Sequence, residues 1–183
     1  KRVNQHLGGA YLLSDLRALK NILKQIRSNY NHLFTVKIRV GYKDDKTFID
    51  CIKLFEDEGV EAITIHGRTR DQLYKGLANW SYIEQAVKTT SLPIIGNGDL
   101  WTTSDIKNIF EQTGCHSVML GRGALKTPWM AKILKIKDIN HFEERKKWTR
   151  LYFQSLEDEF RKSCPQEAFI LKRFKSFSRN IFD

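Results

Sequence analysis

Cysteine, acidic residues and long apolar runs are all scarce in this chain. The three cysteines, Cys51, Cys115 and Cys164, are odd in number, widely spaced and in no CxxC arrangement. That argues against a disulfide framework and for a reducing compartment. No apolar run reaches the length that crosses a bilayer, and residues 1–25 lack the charged, apolar and small-residue regions of a secretory leader. The expectation is a cytoplasmic protein with no membrane partner and no metal site. Against 21 Asp+Glu stand 31 Lys+Arg, a net charge of +10. A field of that sign gathers polyanions such as nucleic acid, although many basic proteins bind nothing anionic.

What is present is enough apolar material for a core: 41% of the 183 residues are hydrophobic and 28% charged. That suits one large domain, or one domain and a smaller piece. Short β-branched runs stand at 34–40 (FTVKIRV), 61–66 (EAITIH), 92–96 (LPIIG) and 116–120 (HSVML). Each is followed by polar or glycine residues and then by a helical pattern. In 47–57, Phe48, Cys51, Ile52 and Phe55 recur at i, i+3, i+4, i+7, opposite Asp50, Lys53 and Asp57. In 102–112, Thr102 or Thr103 is placed to cap a helix whose expected buried stripe is Ile106, Ile109 and Phe110. A further helix is expected over about 12–29. Strand alternating with helix marks a parallel sheet of βα units.

The fold class is therefore α/β: four βα units over residues 1–135 that look like part of something closed, followed by a helical C-terminal segment over 136–183. In that tail Trp148, Leu151, Tyr152, Ser155 and Leu156 form one stripe, and Ile170, Phe174, Phe177 and Ile181 another. Residues 126–183 hold fourteen Lys+Arg and eight Asp+Glu, so the tail carries +6 of the total. Lys172, Arg173, Lys175 and Arg179 are its candidate phosphate contacts, although a charged helix face is often only a solvated one.

In parallel βα architecture the functional groups gather at the carboxyl ends of the strands, where the loops surround one mouth. All four expected strands end in chemistry: Lys37 and Arg39, His66, Asn97, and Gly121 with Arg122. Gly96-Asn97-Gly98-Asp99 and Gly121-Arg122-Gly123 are loops in which free N–H groups can approach a phosphate closely. Taken singly, Lys37 reads equally as a strand-end lysine reaching for solvent, His66 as a core histidine and Asn97 as a turn former. Their shared position is what singles them out.

The ordered segments KRVNQHLGGAYLL, TVKIRVGY, ITIHGRTRDQLYKG, LPIIGNGDLWT and TGCHSVMLGRGAL resemble the tRNA-dihydrouridine synthase family, most nearly its bacterial C-type branch. The resemblance covers about residues 1–130 well and the tail loosely. It implies a TIM-barrel flavoenzyme that uses FMN, with NADPH as reductant, to reduce the C5–C6 bond of tRNA uridines. It implies cofactor contacts at Lys37, His66, Asn97, Gly98, Asp99, Gly121 and Arg122. Tyr74 matches a position facing the RNA, and Arg68, Arg70 and Lys75 stand beside it. Positive and aromatic groups at the mouth suit a uridine swung out of the folded tRNA.

The resemblance also implies a general-acid cysteine in a Gly-Cys-Pro segment that falls upstream of Lys1. None of the three cysteines stands in such a segment, and Cys51 and Cys115 read as packing residues. The expectations are a chain inactive in isolation and a sheet whose edges need cover from an N-terminal half-barrel or a second copy. Two other readings remain at this point: a different FMN-barrel reductase acting on a free pyrimidine, and a noncatalytic RNA-binding remnant.

Overall fold

A computed structural model describes residues 8–135, 142–163 and 166–182. The segment Lys1–Leu7, which opens the first of the motifs above, lies outside the described residues, as does Cys164. The described chain forms two compact units: one of residues up to Asp99 with Ser104–Met119, the other of Leu100–Thr103 with residues from Leu120 onward. The first holds the sheet and the second is helical.

The first unit begins with a 3-10 turn, Gly9–Ser14, and helix α1, Leu16–Asn29. The expected continuous helix over 12–29 is broken because Asp15 takes a non-helical conformation and its carboxylate accepts from Ala18 N at 3.0 Å. This is an N-cap, which starts a helix rather than continuing one. Then follow β1 (Thr35–Arg39), α2 (Phe48–Asp57), β2 (Ala62–His66), α3 (Ser81–Thr89), β3 (Ile94–Asn97), α4 (Thr103–Thr113) and β4 (Ser117–Met119). All neighbouring strands pair parallel in the order β1-β2-β3-β4. The expected runs thus form the expected parallel βα units.

The register sorts the residues onto two faces. Val36, Ile38, Ile63, Ile65, Ile94, Gly96 and Val118 share one face. Helices cover it: a Cβ on Gly96 would lie 2.8 Å from Ile109 Cδ1. Ile52, Ile63, Ile65, Ile83 and Ile109 are all sealed from solvent. The opposite face carries Thr35, Lys37, Arg39, Thr64, His66, Asn97 and Ser117, together with Ala62, Ile95 and Met119. A sheet with this much polarity on one side presents that side to something other than a core.

The stripe on α2 holds as expected, with Phe48, Cys51, Ile52 and Phe55 all buried. The stripe on α4 is corrected at one place. Phe110 is 39% exposed and Thr113 is buried in its stead, its hydroxyl donating to Ile109 O at 2.6 Å. Thr113 lies at i+4 from Ile109 and so continues the inward face, whereas Phe110 has turned past it.

In the second unit, α5 (Arg122–Lys126), α6 (Met130–Lys135), α7 (Phe142–Ser163) and α8 (Glu167–Phe182) follow one another. The stripe expected on α7 is also corrected. Leu151 is exposed, and the rings that meet α8 are Phe153 and Phe160, with centroids 5.9 and 5.6 Å from that of Phe174. Ile170 is buried as expected. The side chains of Phe177, Arg179 and Ile181 lie outside the described residues.

Within the sheet as described, β1 and β4 are edges. A groove of about 470 Å³ runs beside β1, lined among others by Leu12, Ile22, Ile26 and Val36. Unpaired backbone beside apolar side chains favours association. At micromolar concentration the chain is expected to elute and scatter light as a species heavier than its 21.4 kDa. A strictly monomeric profile would contradict this.

Candidate functional site

The carboxyl ends of β1, β2 and β3 bring one row of side chains together. Arg39 pairs in register with His66, and His66 with Asn97. Lys37, two residues earlier on β1, shares their face beside Thr64. The alternation of a strand puts Lys37 and Arg39 on one side, and parallel pairing carries that side across to the histidine and the asparagine.

The loops beyond the strands are fastened to each other by a buried ion pair. Arg68 is 2% exposed, and its Nη2 donates to Asp99 Oδ2 at 2.6 Å and to Gly76 O. The same carboxylate oxygen accepts from Ala78 N at 2.7 Å, and Trp80 Nε1 donates to Gly98 O at 3.0 Å. The loop after β2 thereby grips the loop after β3. Asp99 holds a positive φ of 53°, a strained position for a side-chain-bearing residue that these bonds offset. Gly98, at φ 117°, must be glycine, because a Cβ there would stand 2.8 Å from His66 Cδ2 and 2.7 Å from Ala78 Cβ.

This geometry places the expected site residues unevenly. Arg68 is corrected from an RNA-facing position to an internal one, because its guanidinium is committed to Asp99 and Gly76. Asp99 likewise spends Oδ2 on protein donors. Asn97 lies in the row, its Nδ2 donating to Met119 O at 2.6 Å. Arg70, Tyr74 and Lys75 remain toward solvent, with Tyr74 60% exposed. Arg70 is paired to Asp71 at 3.1 Å and lies 5.7 Å over the Tyr42 ring.

In the second unit, Arg122 sits 4.7 Å over the Trp101 ring. A Cβ on Gly121 would meet nothing within 4 Å, while its carbonyl accepts from Ala124 N at 3.0 Å. Lys172, Arg173 and Lys175 are exposed on α8.

Arg39, singled out at the strand end but assigned to neither cofactor nor RNA, donates through Nη1 to Thr69 O at 3.0 Å and Leu73 O at 2.9 Å, and its guanidinium lies 5.6 Å over the Tyr74 ring. Trp80, which ties Gly98, was missed, and it gave no signal beyond its being an aromatic residue after a loop.

The charges at this mouth do not balance. Among the described residues, Lys37, Arg39 and Arg68 act on His66 against the carboxylate of Asp99. The Lys37 ammonium is held below the ordinary lysine range by burial and by the Arg39 charge. Burial, then Arg39, Lys37 and Arg68, push His66 down to about 4, against the opposing pull of Asp99. The imidazole is therefore neutral at pH 7. A mouth with surplus positive charge and a neutral ring favours an anionic or electron-rich ligand.

The two described cysteines take no part. Cys51 is sealed, its thiol pushed up to about 11 by burial, and Cys115 is buried as well.

The titration of His66 has a consequence for stability. Unfolded, the ring takes a proton near 6.5, whereas folded it does so only near 4. Its contribution is full above about 6.5 and is lost as pH falls toward 4, by at most about 1.4 kcal/mol per pH unit. Urea midpoints of the wild type are expected to fall more steeply over that window than those of His66→Gln. Parallel slopes would contradict the environment described.

Comparison with known proteins identifies the family. The family model described as dihydrouridine synthase matches residues 1–171. A tRNA-dihydrouridine(16) synthase of Neisseria meningitidis serogroup B is 32% identical over 99% of this chain and 59% of its own length. One from Cupriavidus necator is 37% identical over 72% of this chain and 41% of its own length. A tRNA-dihydrouridine synthase B of Pasteurella multocida is 34% identical over 74% of this chain and 41% of its own. The chain thus spans about half the length of the curated relatives it matches. Such proteins are flavin-dependent TIM barrels, and the four parallel βα units described above fit a portion of one. By the extent of that match, this chain belongs to the dihydrouridine synthase family.

Proposed function

We propose that this chain supplies the FMN-binding βα units and a tRNA-binding helical segment of a tRNA-dihydrouridine synthase working in the cytoplasm. One observation carries the reading: Lys37, Arg39, His66 and Asn97 stand on one face at the carboxyl ends of parallel strands, in a chain of this family. The residues present fit the cofactor. Positive charge at Lys37 and Arg39 suits the negative charge that a reduced isoalloxazine carries.

When bound, FMN reduced by NADPH supplies the hydride for the C5–C6 bond of a tRNA uridine. This chain's groups do the holding and the shielding. Lys37 contributes a cation and His66 a neutral hydrogen-bond donor. Asn97 and Gly98 contribute polar and backbone groups for the ribityl chain. Asp99 acts by fixing the loop they stand on. From sequence order alone, Gly121 and Arg122 are assigned to the phosphate.

Tyr74, the most exposed aromatic residue of the loop after β2, offers a ring for an unstacked base, with Arg70 and Lys75 beside it for the backbone. Lys172, Arg173, Lys175 and Arg179 are assigned to tRNA phosphates on α8. With Cys51 and Cys115 buried, proton delivery to the uracil is assigned to the upstream cysteine that the family resemblance implies. The 183 residues alone are proposed to be inactive on tRNA.

Titrating FMN with the chain tests the cofactor assignment. Flavin fluorescence is expected to be quenched at micromolar protein, and Lys37→Ala to weaken binding about tenfold or more, the size of a lost charge-assisted hydrogen bond. A folded chain that leaves the fluorescence unchanged would contradict it.

A further inference from the structure

His66 touches Arg68 through one ring nitrogen only, and the chemistry of the two groups settles which form the ring must take. Arg68 Nη1 lies 3.4 Å from His66 Nε2, in a buried contact. A guanidinium has five N–H donors and no acceptor. Nε2 must therefore carry the lone pair, because an Nε2–H would set two donors against each other away from water. In a neutral imidazole the proton then sits on Nδ1.

The surroundings hold this arrangement in place. Asp99 and Gly76 O fix the Arg68 guanidinium from the far side. Gly98 lies against the Cδ2–Nε2 edge of the ring, so the ring is backed on that edge. The charged and titratable groups around the ring are Lys37 and Arg39 from β1, Arg68 from its own loop, Asp99 from the loop after β3, and Tyr74, whose ring centroid is 6.4 Å away. Three cations against one carboxylate oppose a second proton on the ring. His66 Nδ1 has no hydrogen-bond partner among the described residues. Nor is it among the sealed, unpartnered atoms, which are Arg68 Nε and Trp129 Nε1. Nδ1 is thus neither paired nor fully sealed within a ring that is 7% exposed.

We propose that Arg68 is a positioning residue that locks His66 as the neutral Nδ1–H tautomer. The mouth of the sheet thereby offers a fixed, uncharged ring donor to an acceptor atom on a planar heteroaromatic ligand. This deepens the flavin reading and rests on it for the ligand's class, but not for the tautomer. It also gives the buried arginine a task that exposure to RNA would not permit. A ring that held a proton on both nitrogens would add a fourth charge to the mouth, and the opposite tautomer would present a lone pair where a donor is needed.

The test is nitrogen-15 NMR of the imidazole in the full chain, without flavin. In the wild type, Nδ1 is expected to show the protonated, pyrrole-type shift and Nε2 the unprotonated, pyridine-type shift, unchanged from pH 8 down to pH 6. In Arg68→Lys, which keeps the charge but loses the fork, and in Arg68→Met, the ring is expected to shift toward Nε2–H. In Arg68→Met it should also titrate at a higher pH. Should Arg68→Met fail to fold, the wild-type spectrum and Arg68→Lys still decide. A wild-type ring with Nε2–H, a doubly protonated ring at pH 6, or variants whose tautomer matches the wild type would each overturn the proposal. FMN titration of the same samples separates the two readings: a locked Nδ1–H ring in a chain that binds no flavin removes the functional reading and leaves the tautomer standing.

Discussion

The ion pair between Arg68 and Asp99 is the interaction on which the mouth of the sheet depends. It joins the loops after two neighbouring strands, and everything placed there follows from it. Arg68 reaches His66 because Asp99 holds its other end. Ala78 N donates to the same carboxylate, Trp80 Nε1 ties Gly98 O, and Gly98 permits the close approach of the imidazole. A buried pair of this kind adds little stability of its own, since desolvation offsets most of the attraction. Its effect is to make one arrangement of the loops much better than the alternatives. Loss of either partner would leave a charge in a site with almost no access to water.

The second constraint is the division of the sheet into two faces. Helices seal the Ile63, Ile65 and Ile94 side, which supplies the hydrophobic stabilisation of the first unit. The other side carries threonine, lysine, arginine, histidine and asparagine beside Ala62, Ile95 and Met119. A row of cations at the strand ends, offset by one carboxylate, costs the folded chain electrostatic free energy unless an anion joins it. Burial first, and the neighbouring cations second, lower the proton affinities of Lys37 and His66. Those cations are also what a site for an electron-rich, phosphorylated cofactor requires. Structure and function meet in the same imbalance.

Much of this was legible in the sequence, for identifiable reasons. The strands announced themselves because buried parallel strands are short β-branched runs, and α2 did so because its apolar spacing was clean. Residues at the strand ends could be collected because parallel order places those ends together. The errors share a cause: side-chain type was taken for location. Arg68 read as an RNA contact because arginine is usually exposed, yet a carboxylate thirty-one positions later neutralises it. Phe110 and Leu151 read as core because they are apolar, yet the helix turns them past the covered face while Thr113 and Phe153 take their places. Asp15 interrupts the first helix through its capping bond, which the apolar pattern around it did not reveal.

The central claim is that Arg68 and Asp99 act as one unit that organises the mouth. A double-mutant cycle on urea unfolding of Arg68→Met, Asp99→Leu and the double variant measures it most directly. The account predicts a coupling of about 2 kcal/mol or more, with the double variant more stable than either single one, because each single change strands a buried charge. Additive effects, with a coupling near zero, would mean that the two groups are held independently and that the mouth is organised by something else.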